Sequence, residues 1–262
     1  SCGIELSVAM NITFTNNSFT GCGISFNDGD NLTIDTSNKV NGKSVRYYEQ
    51  QSHISLIDEP DVGQLILNGV NNSEFRGFNT SCGTAGITGM GSHFNTFSDI
   101  ISNYNSLTGI YLDHSYNNSI TVGDFKFNKY GVYLFNSPNT TVAGNSITNN
   151  SYCGLFLGTS GNSLIYYNSF IANHAHFIIT MCTGLWDNGR RGNYWDDYAL
   201  KYPSATHNGT VWNTPYNITT TQQDRYPLAY IPFSRFGTPT LNKTSEELSN
   251  GQITMTIQWT SF

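Results

Sequence analysis

The sequence predicts an all-β protein, a right-handed parallel β-helix in which short coils stack along one axis. Three observations support this fold class. Glycine recurs along the middle of the chain with steps of 23, 23, 22 and 23 residues, at Gly63, Gly86, Gly109, Gly131 and Gly154. Similar apolar stretches follow the last three of these glycines, namely Gly-Ile-Tyr-Leu, Gly-Val-Tyr-Leu and Gly-Leu-Phe-Leu. Apolar residues alternate over short windows, and no helical period persists.

A repeat of about 22 residues has the length of two or three short strands joined by tight turns. One such coil buries its inward side chains only when the next coil stacks on it. Three apolar columns are therefore expected, at one, three and eleven residues after each glycine. They are Gln64, Ile87, Ile110, Val132 and Leu155; then Ile66, Gly89, Leu112, Leu134 and Leu157; then Phe97, Ile120, Val142 and Ile165, with Glu74 interrupting the first coil.

The position nineteen residues after each glycine is mostly Asn. Stacked Asn side chains can hydrogen-bond from coil to coil, and Asn also tolerates left-handed turns. The column is Cys82, Asn105, Asn128, Asn150 and Asn173. The sequence therefore predicts an Asn ladder inside the stack.

The predicted domains are a β-helix at 1–232 and a short trailing β segment at 233–262. Two coils occupy 1–34, an inserted loop or hairpin about 35–62, and an irregular cap rich in Pro, Trp and Tyr about 183–232. The segment 233–262 is interpreted as a linker followed by the start of a further β domain, or by a strand that pairs with a neighbour. Because residue 1 directly precedes a repeat, the chain is expected to be a mature fragment or an excised domain.

Composition limits the classes of partner. Only 11% of the residues are charged, against about 25% in an average domain, and the net charge is −6. A chain without a basic face does not hold a polyanion, so no nucleic-acid partner is expected. The sequence contains no run of about 18 apolar residues, and it therefore predicts no membrane-spanning helix.

Three segments carry a resemblance. They are Val-Asn-Gly-Lys-Ser-Val-Arg-Tyr-Tyr at 40–48, Gly-Asn-Tyr-Trp-Asp-Asp-Tyr at 192–198 and Asp-Arg-Tyr-Pro-Leu at 224–228. In this order they resemble the NosD-like parallel β-helix family of archaeal and bacterial cell-surface proteins, with departures at Ser44, Arg46 and Asp196. The likeness covers about 3–232. It implies a β-helix and an archaeal envelope protein. The family name comes from a periplasmic factor in copper-site maturation, and the repeats are also described as carbohydrate-binding and sugar-hydrolase modules.

An outward-facing aromatic strip is the candidate ligand-binding site. The column two residues after each glycine is Leu65, Thr88, Tyr111, Tyr133 and Phe156, and alternate strand residues point to opposite faces. Aromatic faces stack on sugar rings or on protein. Tyr111, Tyr133 and Phe156 are therefore predicted to bind a ligand. The alternative is that these rings only stack coil on coil.

Three further constellations are candidate sites. Asp113 with Asp124 is the best available pair of carboxylates for glycoside hydrolysis, which needs two; the alternative is that both are solvated acids. His174 and His176, with Met181 and Cys182 nearby, have ligand types that suit copper, and they would share a face if 174–179 is a strand. The adjacent acids Asp196 and Asp197 could bind calcium. For the two histidines, and for Asp196 with Asp197, the competing interpretation is ordinary packing in the cap.

Asn-x-Ser/Thr triplets mark candidate glycosylation sites. They lie at Asn11, Asn16, Asn31, Asn71, Asn79, Asn117, Asn139, Asn149, Asn208, Asn217 and Asn242. A chain rich in Asn, Ser and Thr also produces such triplets for turn reasons.

These observations favour a secreted or cell-envelope structural or adhesive module that binds glycan or a cell-surface protein, or that self-assembles, without catalysis. No cofactor is expected. One alternative is a carbohydrate-active hydrolase or lyase. A second alternative is a NosD-like copper-site maturation factor.

Overall fold

The computed structural model describes residues 3–232, and these residues form a parallel β-solenoid, as the repeats predict. In chain order the strands are β1 (Ile4–Leu6), β2 (Ala9–Met10), β3 (Thr13–Phe14), β4 (Ser18–Phe19), β5 (Ile24–Phe26), β6 (Gly29–Asp30), β7 (Thr33–Ile34), β8 (Lys39–Val40), β9 (Lys43–Glu49), β10 (Ser55–Ile57), β11 (Gln64–Asn68), β12 (Glu74–Arg76), β13 (Ala85–Met90), β14 (Thr96–Ser98), β15 (Thr108–Asp113), β16 (Ser119–Thr121), β17 (Asp124–Lys126), β18 (Tyr130–Phe135), β19 (Thr141–Ala143), β20 (Ser146–Thr148), β21 (Cys153–Gly158), β22 (Ser163–Tyr166), β23 (Ser169–Ile171), β24 (Phe177–Thr180), β25 (Gly184–Leu185), β26 (Tyr194–Trp195), β27 (Tyr216–Asn217) and β28 (Gln223–Asp224). A short helix, α1 (Tyr198–Lys201), lies in the cap.

Three long sheets run along the described part of the chain. Sheet 1 has the order β24-β21-β18-β15-β13-β11-β9-β8-β4, sheet 2 the order β10-β12-β14-β16-β19-β22-β25, and sheet 3 the order β17-β20-β23-β26. Neighbours along each sheet come from successive coils and pair in parallel, apart from the antiparallel hairpin of β8 and β9. Each coil therefore completes the interior of the next, as a solenoid requires.

The predicted apolar columns are confirmed from the second repeat onward. Ile87, Ile110, Val132 and Leu155 are paired in register and fully buried. The same holds for Phe97, Ile120, Val142 and Ile165 in sheet 2.

In the first repeat, the predicted columns are wrong by one residue. Leu65, and not Gln64, pairs with Ile87; Leu67, and not Ile66, pairs with Gly89. In sheet 2, Phe75 pairs with Phe97, and Glu74 is exposed beside it instead of interrupting the core. The step from Leu65 to Ile87 is 22 residues, whereas the glycine step there is 23. Because strand side chains alternate, this single residue moves Gln64 and Ile66 to the outer face.

The repeated glycine has a steric cause. A Cβ on Gly109 would lie 2.6 Å from the carbonyl oxygen of Gly131, and a Cβ on Gly131 would lie 2.6 Å from that of Gly154. Successive coils approach so closely at this corner that any side chain would push against the next backbone. Each coil therefore needs one glycine at this corner, which is why glycine recurs once per coil.

The Asn ladder is confirmed over three steps. The backbone N–H of Asn105 donates to Oδ1 of Asn128 at 2.8 Å, and each further Asn donates to the next, as far as Asn173. Cys82 does not belong to the ladder, because Gly83 donates its N–H to Asn105. Buried Asn amides thus satisfy backbone groups that water cannot reach.

The two coils predicted at 1–34 stack with a step of 20 residues, since Ile4 pairs with Ile24 and Phe14 with Ile34. Their apolar residues form a second core, which also includes Val45 and Ile66 from the outer face of sheet 1. The amide of Gln64 donates to the carbonyl of Ile24 at 2.6 Å and accepts its N–H at 3.0 Å. Sheet 1 is therefore covered on both faces along β9 and β11.

Within 35–62, β8 and β9 form a hairpin, and both β9 and β10 then join the stack. β9 pairs in parallel with β11, and β10 pairs in parallel with β12. The cap that follows β24 closes the main core with Trp186, Trp195 and Tyr216, all buried.

The helix in the described part of the chain is too short to cross a membrane. The trailing segment 233–262, which includes Asn242, lies outside the described residues.

Candidate functional site

An aromatic surface covers the outer side of sheet 1 over three consecutive coils. Six residues on or beside β15, β18 and β21 form it, and we call it the aromatic face: Tyr111, Tyr130, Tyr133, Phe135, Tyr152 and Phe156. It contains the three predicted binding residues. The register places Tyr111, Tyr133 and Phe156 side by side.

The rings of the aromatic face contact one another. Tyr133 and Phe156 stack with centroids 4.3 Å apart and planes 14° apart. Tyr111 meets Tyr133 edge to face at 5.2 Å. A Cβ on Gly158 would lie 2.7 Å from the ring of Phe135 and 2.9 Å from that of Phe156, so the missing side chain leaves room for both rings. Part of the surface stays open, since Phe135 is 37% exposed and Tyr152 is 45% exposed.

Polar groups border the aromatic face on two sides. The Tyr111 hydroxyl donates to Oδ2 of Asp113 at 3.0 Å, and Oδ1 of Asp113 lies 2.7 Å from Nδ1 of His114. Lys129 holds its ammonium 5.6 Å from the ring centre of Tyr130. Burial, and then the charge of Asp113, raise the pKa of the Tyr111 hydroxyl. Tyr111 therefore remains a neutral hydrogen-bond donor across physiological pH.

The first two coils determine where the aromatic face begins. In the outer column, Ile66 and Thr88 are buried, while Tyr111, Tyr133 and Phe156 are partly exposed. The column predicted from the glycines includes Leu65 in place of Ile66, and it predicts exposure along its whole length. Both points are wrong at the start of the column: Leu65 is in the main core, and the outer positions Ile66 and Thr88 of the first two repeats are buried on the side of the N-terminal coils.

The two candidate catalytic carboxylates lie on different sheets. Asp113 ends β15 of sheet 1, whereas Asp124 begins β17 of sheet 3. Asp124 is 2.9 Å from the ammonium of Lys126 and accepts from the amide of Asn103 at 3.3 Å. These two partners are not those of Asp113, which contacts Tyr111 and His114. Asp124 is held by Lys126 of its own coil and by Asn103 of the preceding coil, whereas both of these contacts of Asp113 lie within its own coil.

A second polar cluster lies where the last coil meets the cap. Nε2 of His176 is 2.9 Å from Oδ1 of Asp196 and 3.5 Å from Oδ1 of Asp197. A cleft of about 430 Å³ opens there, lined by 172–177, Asp196, Asp197, Lys201 and Tyr216. His174 lines the same cleft but is exposed. Because β24 begins at Phe177, both histidines belong to the preceding turn and not to a strand.

The Asp197 carboxylate contacts three polar side chains of this cluster, those of His176, Lys201 and Tyr216. Burial alone would raise the pKa of its carboxyl, but hydrogen bonds from His176 and Lys201 outweigh burial and hold the pKa well below its usual range. The Tyr216 hydroxyl also donates to Asp197 at 3.1 Å. Burial, and then the charge of Asp197, raise the pKa of Tyr216, so its hydroxyl stays protonated.

Sequence reasoning missed half of the aromatic face and the grouping of His176 with the two acids. Tyr130 directly precedes a repeat glycine, and the register pairs it with Thr108 and Cys153, which are not aromatic. The aromatic residues near Gly131 and Gly154 in the sequence were the signal that could have identified Tyr130 and Tyr152. His176 and Asp196 are 20 residues apart in an aperiodic region, so no spacing rule relates them.

The triplet Asn residues in the described part of the chain are all at least partly exposed. Six of them have left-handed backbone angles, namely Asn11, Asn16, Asn31, Asn117, Asn139 and Asn149. Turn geometry thus accounts for Asn at these six positions, and glycosylation there stays a prediction.

Comparison with known proteins adds a family. The family model described as "Periplasmic copper-binding protein (NosD)" matches residues 59–200. No curated protein matches the chain. One similar solved structure is the A-module of the mannuronan C-5 epimerase AlgE6 of Azotobacter vinelandii, with 14% identity, a TM-score of 0.27 and coverage of 68% of this chain. The match spans 64% of that module, less than two thirds of its length. The family model covers more than half of the chain, and the chain therefore belongs to the NosD family.

Proposed function

We propose that this protein is a recognition module of the cell envelope or the extracellular space, without catalysis of its own, and that it binds glycan through the aromatic face. One observation carries the proposal: six aromatic side chains from three coils gather on the open part of sheet 1. Aromatic residues that were needed only for core packing would be buried. Tyr152 and Phe135 instead remain substantially exposed.

The chemistry of the aromatic face suits a sugar better than an apolar protein segment. Sugar rings present C–H groups that pack on aromatic faces and hydroxyl groups that need hydrogen-bond partners. The rings of the face provide the packing surface, and the exposed Lys129 ammonium at its border provides a hydrogen-bond donor. The stacked coils hold these groups on a rigid sheet, which limits the entropy lost on binding.

The family description supports the proposed location. It names a periplasmic protein, and the matched residues include all three coils that carry the aromatic face. An envelope location would expose the face to cell-surface glycans.

The test is a glycan array followed by calorimetry on the best ligand. Tyr133→Ala removes the ring that contacts both Tyr111 and Phe156, and Tyr152→Ala removes an exposed ring at the edge. We expect each to weaken glycan binding about tenfold, which is about 1.4 kcal/mol. Tyr104→Ala is the matched control: this tyrosine is 59% exposed and lies on a turn outside the aromatic face.

Two results would reject the proposal. The first is that no glycan binds to the wild-type chain. The second is that Tyr104→Ala weakens binding as much as Tyr133→Ala, because binding would then depend on exposed aromatic residues in general. Capture of a protein partner through the aromatic face, without glycan, would assign the face to protein recognition instead.

Copper requires a separate test, because the family description names it. Cu(I) prefers thiolate and thioether ligands. After the far end of β24, Met181 is 90% exposed, and the Cys182 thiol donates to the carbonyl of Leu157 at 3.5 Å. In residues 3–232, the one group of three His, Cys, Asp or Glu side chains with converging ligand atoms contains no sulfur. These residues do not fit a Cu(I) site.

A further inference from the structure

We propose that His176, Asp196 and Asp197 form a binding site for one divalent transition-metal ion of the Zn²⁺ class, and that this ion joins the last coil to the cap. The proposal does not depend on glycan binding by the aromatic face. It assigns a second, separate site to the chain.

The distances among the three side chains suit a single ion. One ligand atom from each residue lies within 4.8 Å of the others, and His176 Nε2 lies 2.9 and 3.5 Å from the two carboxylate oxygens. Ligand atoms bound at about 2.1 Å in a tetrahedron are about 3.4 Å apart. The side chains therefore need only small rotations to surround an ion.

The ligand types indicate the class of ion. One imidazole nitrogen and two carboxylate oxygens form a mixed set, which zinc accepts with a fourth position open to water. Calcium prefers six to eight oxygen ligands, and this cluster does not offer them. The imidazole is thus the residue that separates a zinc-type site from a calcium site.

Burial provides an independent observation. The His176 side chain is only 9% exposed, and its Nδ1 is buried without a hydrogen-bond partner. Burial restricts the ring to an orientation in which Nε2 faces the two carboxylate oxygens. The imidazole nevertheless lines an open cleft of about 430 Å³, through which an ion and its water can enter.

A backbone N–H holds the Asp196 carboxylate in position. Oδ2 of Asp196 accepts the N–H of Ala172 at 2.6 Å, while Oδ1 points to His176. Ala172 and His176 belong to the last coil, and Asp196 and Asp197 to the cap. An ion held by both would therefore link these two parts of the chain.

Lys201 competes with the ion. Its ammonium lies 2.9 Å from Oδ2 of Asp197 and partly neutralises that carboxylate. The lysine side chain is 47% exposed and can turn into solvent when an ion binds. Removing its charge should therefore strengthen metal binding, whereas a cluster that only forms salt bridges would gain nothing.

The test is calorimetric titration of the untagged, chelator-treated full chain with Zn²⁺. We expect one ion per chain, at least tenfold weaker binding in His176→Gln and Asp196→Asn, and severalfold tighter binding in Lys201→Met. His174→Gln is the matched control, because His174 lines the same cleft without joining the cluster; its affinity should stay within about twofold of wild type. Circular dichroism checks that each variant is folded, and zinc absorption spectroscopy should show one imidazole ligand.

Three outcomes would overturn the proposal. They are no binding of Zn²⁺ to the wild-type chain, unchanged binding in His176→Gln, and Ca²⁺ binding as tight as Zn²⁺ binding. The last would mean that the carboxylates act without the imidazole. Because Asp196→Asn changes an exposed side chain, it keeps the test valid if His176→Gln fails to fold.

Discussion

Trp195 donates a hydrogen bond of 2.9 Å from its indole Nε1 to Oδ2 of Asp224. The same oxygen accepts the backbone N–H of Asn193 at 2.7 Å, and Oδ1 accepts that of Tyr226. A Cβ on Gly192 would lie 1.6 Å from this carboxylate. The segments Gly-Asn-Tyr-Trp and Asp-Arg-Tyr-Pro-Leu therefore form one structural unit, in which the second segment fastens the end of the solenoid.

The buried carboxyl of Asp224 should make stability depend on pH. Burial raises its pKa to about 7, although hydrogen bonds from Asn193 and Trp195 lower it. An acid whose folded pKa is raised holds its proton in the folded state and loses it in the unfolded state. Its contribution to stability is therefore greatest below about pH 4 and is lost as pH rises through about 7. We expect a loss of about 2 to 3 kcal/mol between pH 5 and pH 8.

Urea unfolding of the wild type and of Asp224→Asn at these two pH values measures this loss. The variant has no carboxyl at this position, so the difference in unfolding free energy between the two proteins should shrink as pH rises. A difference that stays constant from pH 5 to pH 8 would show that Asp224 is ionised throughout.

The close approach of the coils at the repeat glycines predicts intolerance to alanine. A Cβ on Gly131 would lie 2.6 Å from the carbonyl oxygen of Gly154 and 2.9 Å from the Asn150 amide. We expect Gly131→Ala to cost about 2 to 3 kcal/mol of unfolding free energy, because the coils must separate locally. In Gly161→Ala the nearest atom would be 3.9 Å away, and the change should stay within about 0.5 kcal/mol. Equal costs would contradict the steric explanation.

The fold could be predicted because each coil repeats one local pattern. Ile110, Val132 and Leu155 occupy equivalent positions after equivalent glycines, so a column read from the sequence becomes a column in space. Gly63 is the exception. The strand that follows it, β11, pairs with the hairpin strand β9, and Gln64 contacts Ile24, 40 residues away. A long-range contact of that kind leaves no period in the sequence.

The site was predictable to the extent that it is periodic. Tyr111, Tyr133 and Phe156 follow the glycine spacing, and the sequence identified them. The covering of Thr88 by the N-terminal coils could not be foreseen, because it depends on how two stacks pack side by side. The grouping of His176 with Asp196 and Asp197 depends on the aperiodic cap, where residue spacing carries no information about distance.

The Asn ladder predicts a second sensitive position. Oδ1 of Asn128 accepts the N–H of Asn105 at 2.8 Å, and its Nδ2 donates to the carbonyl of Ser102 at 2.9 Å. Asn128→Ala would leave both buried backbone groups without these bonds, at a cost of about 2 to 4 kcal/mol. Chemical denaturation measures the change. The control is Ser151→Ala at an exposed position near the same corner, and a similar loss there would argue against the ladder as the cause.

Gln64 should control the attachment of the first two coils to the main stack. Its amide makes two hydrogen bonds to the backbone of Ile24 and is fully buried between two apolar cores. Gln64→Met keeps the length of the side chain but leaves the N–H and the carbonyl of Ile24 without these bonds, which costs about 2 to 4 kcal/mol. Because the main core does not include Ile24, we expect the loss to be local. Hydrogen exchange should accelerate in β5 and leave the amides of Ile110 and Val132 unchanged. Gln51→Met, at an exposed position, should alter neither region. Uniform acceleration along the whole chain would instead mean that the two cores unfold together, and that sheet 1 couples the N-terminal coils to the stack more strongly than Gln64 does.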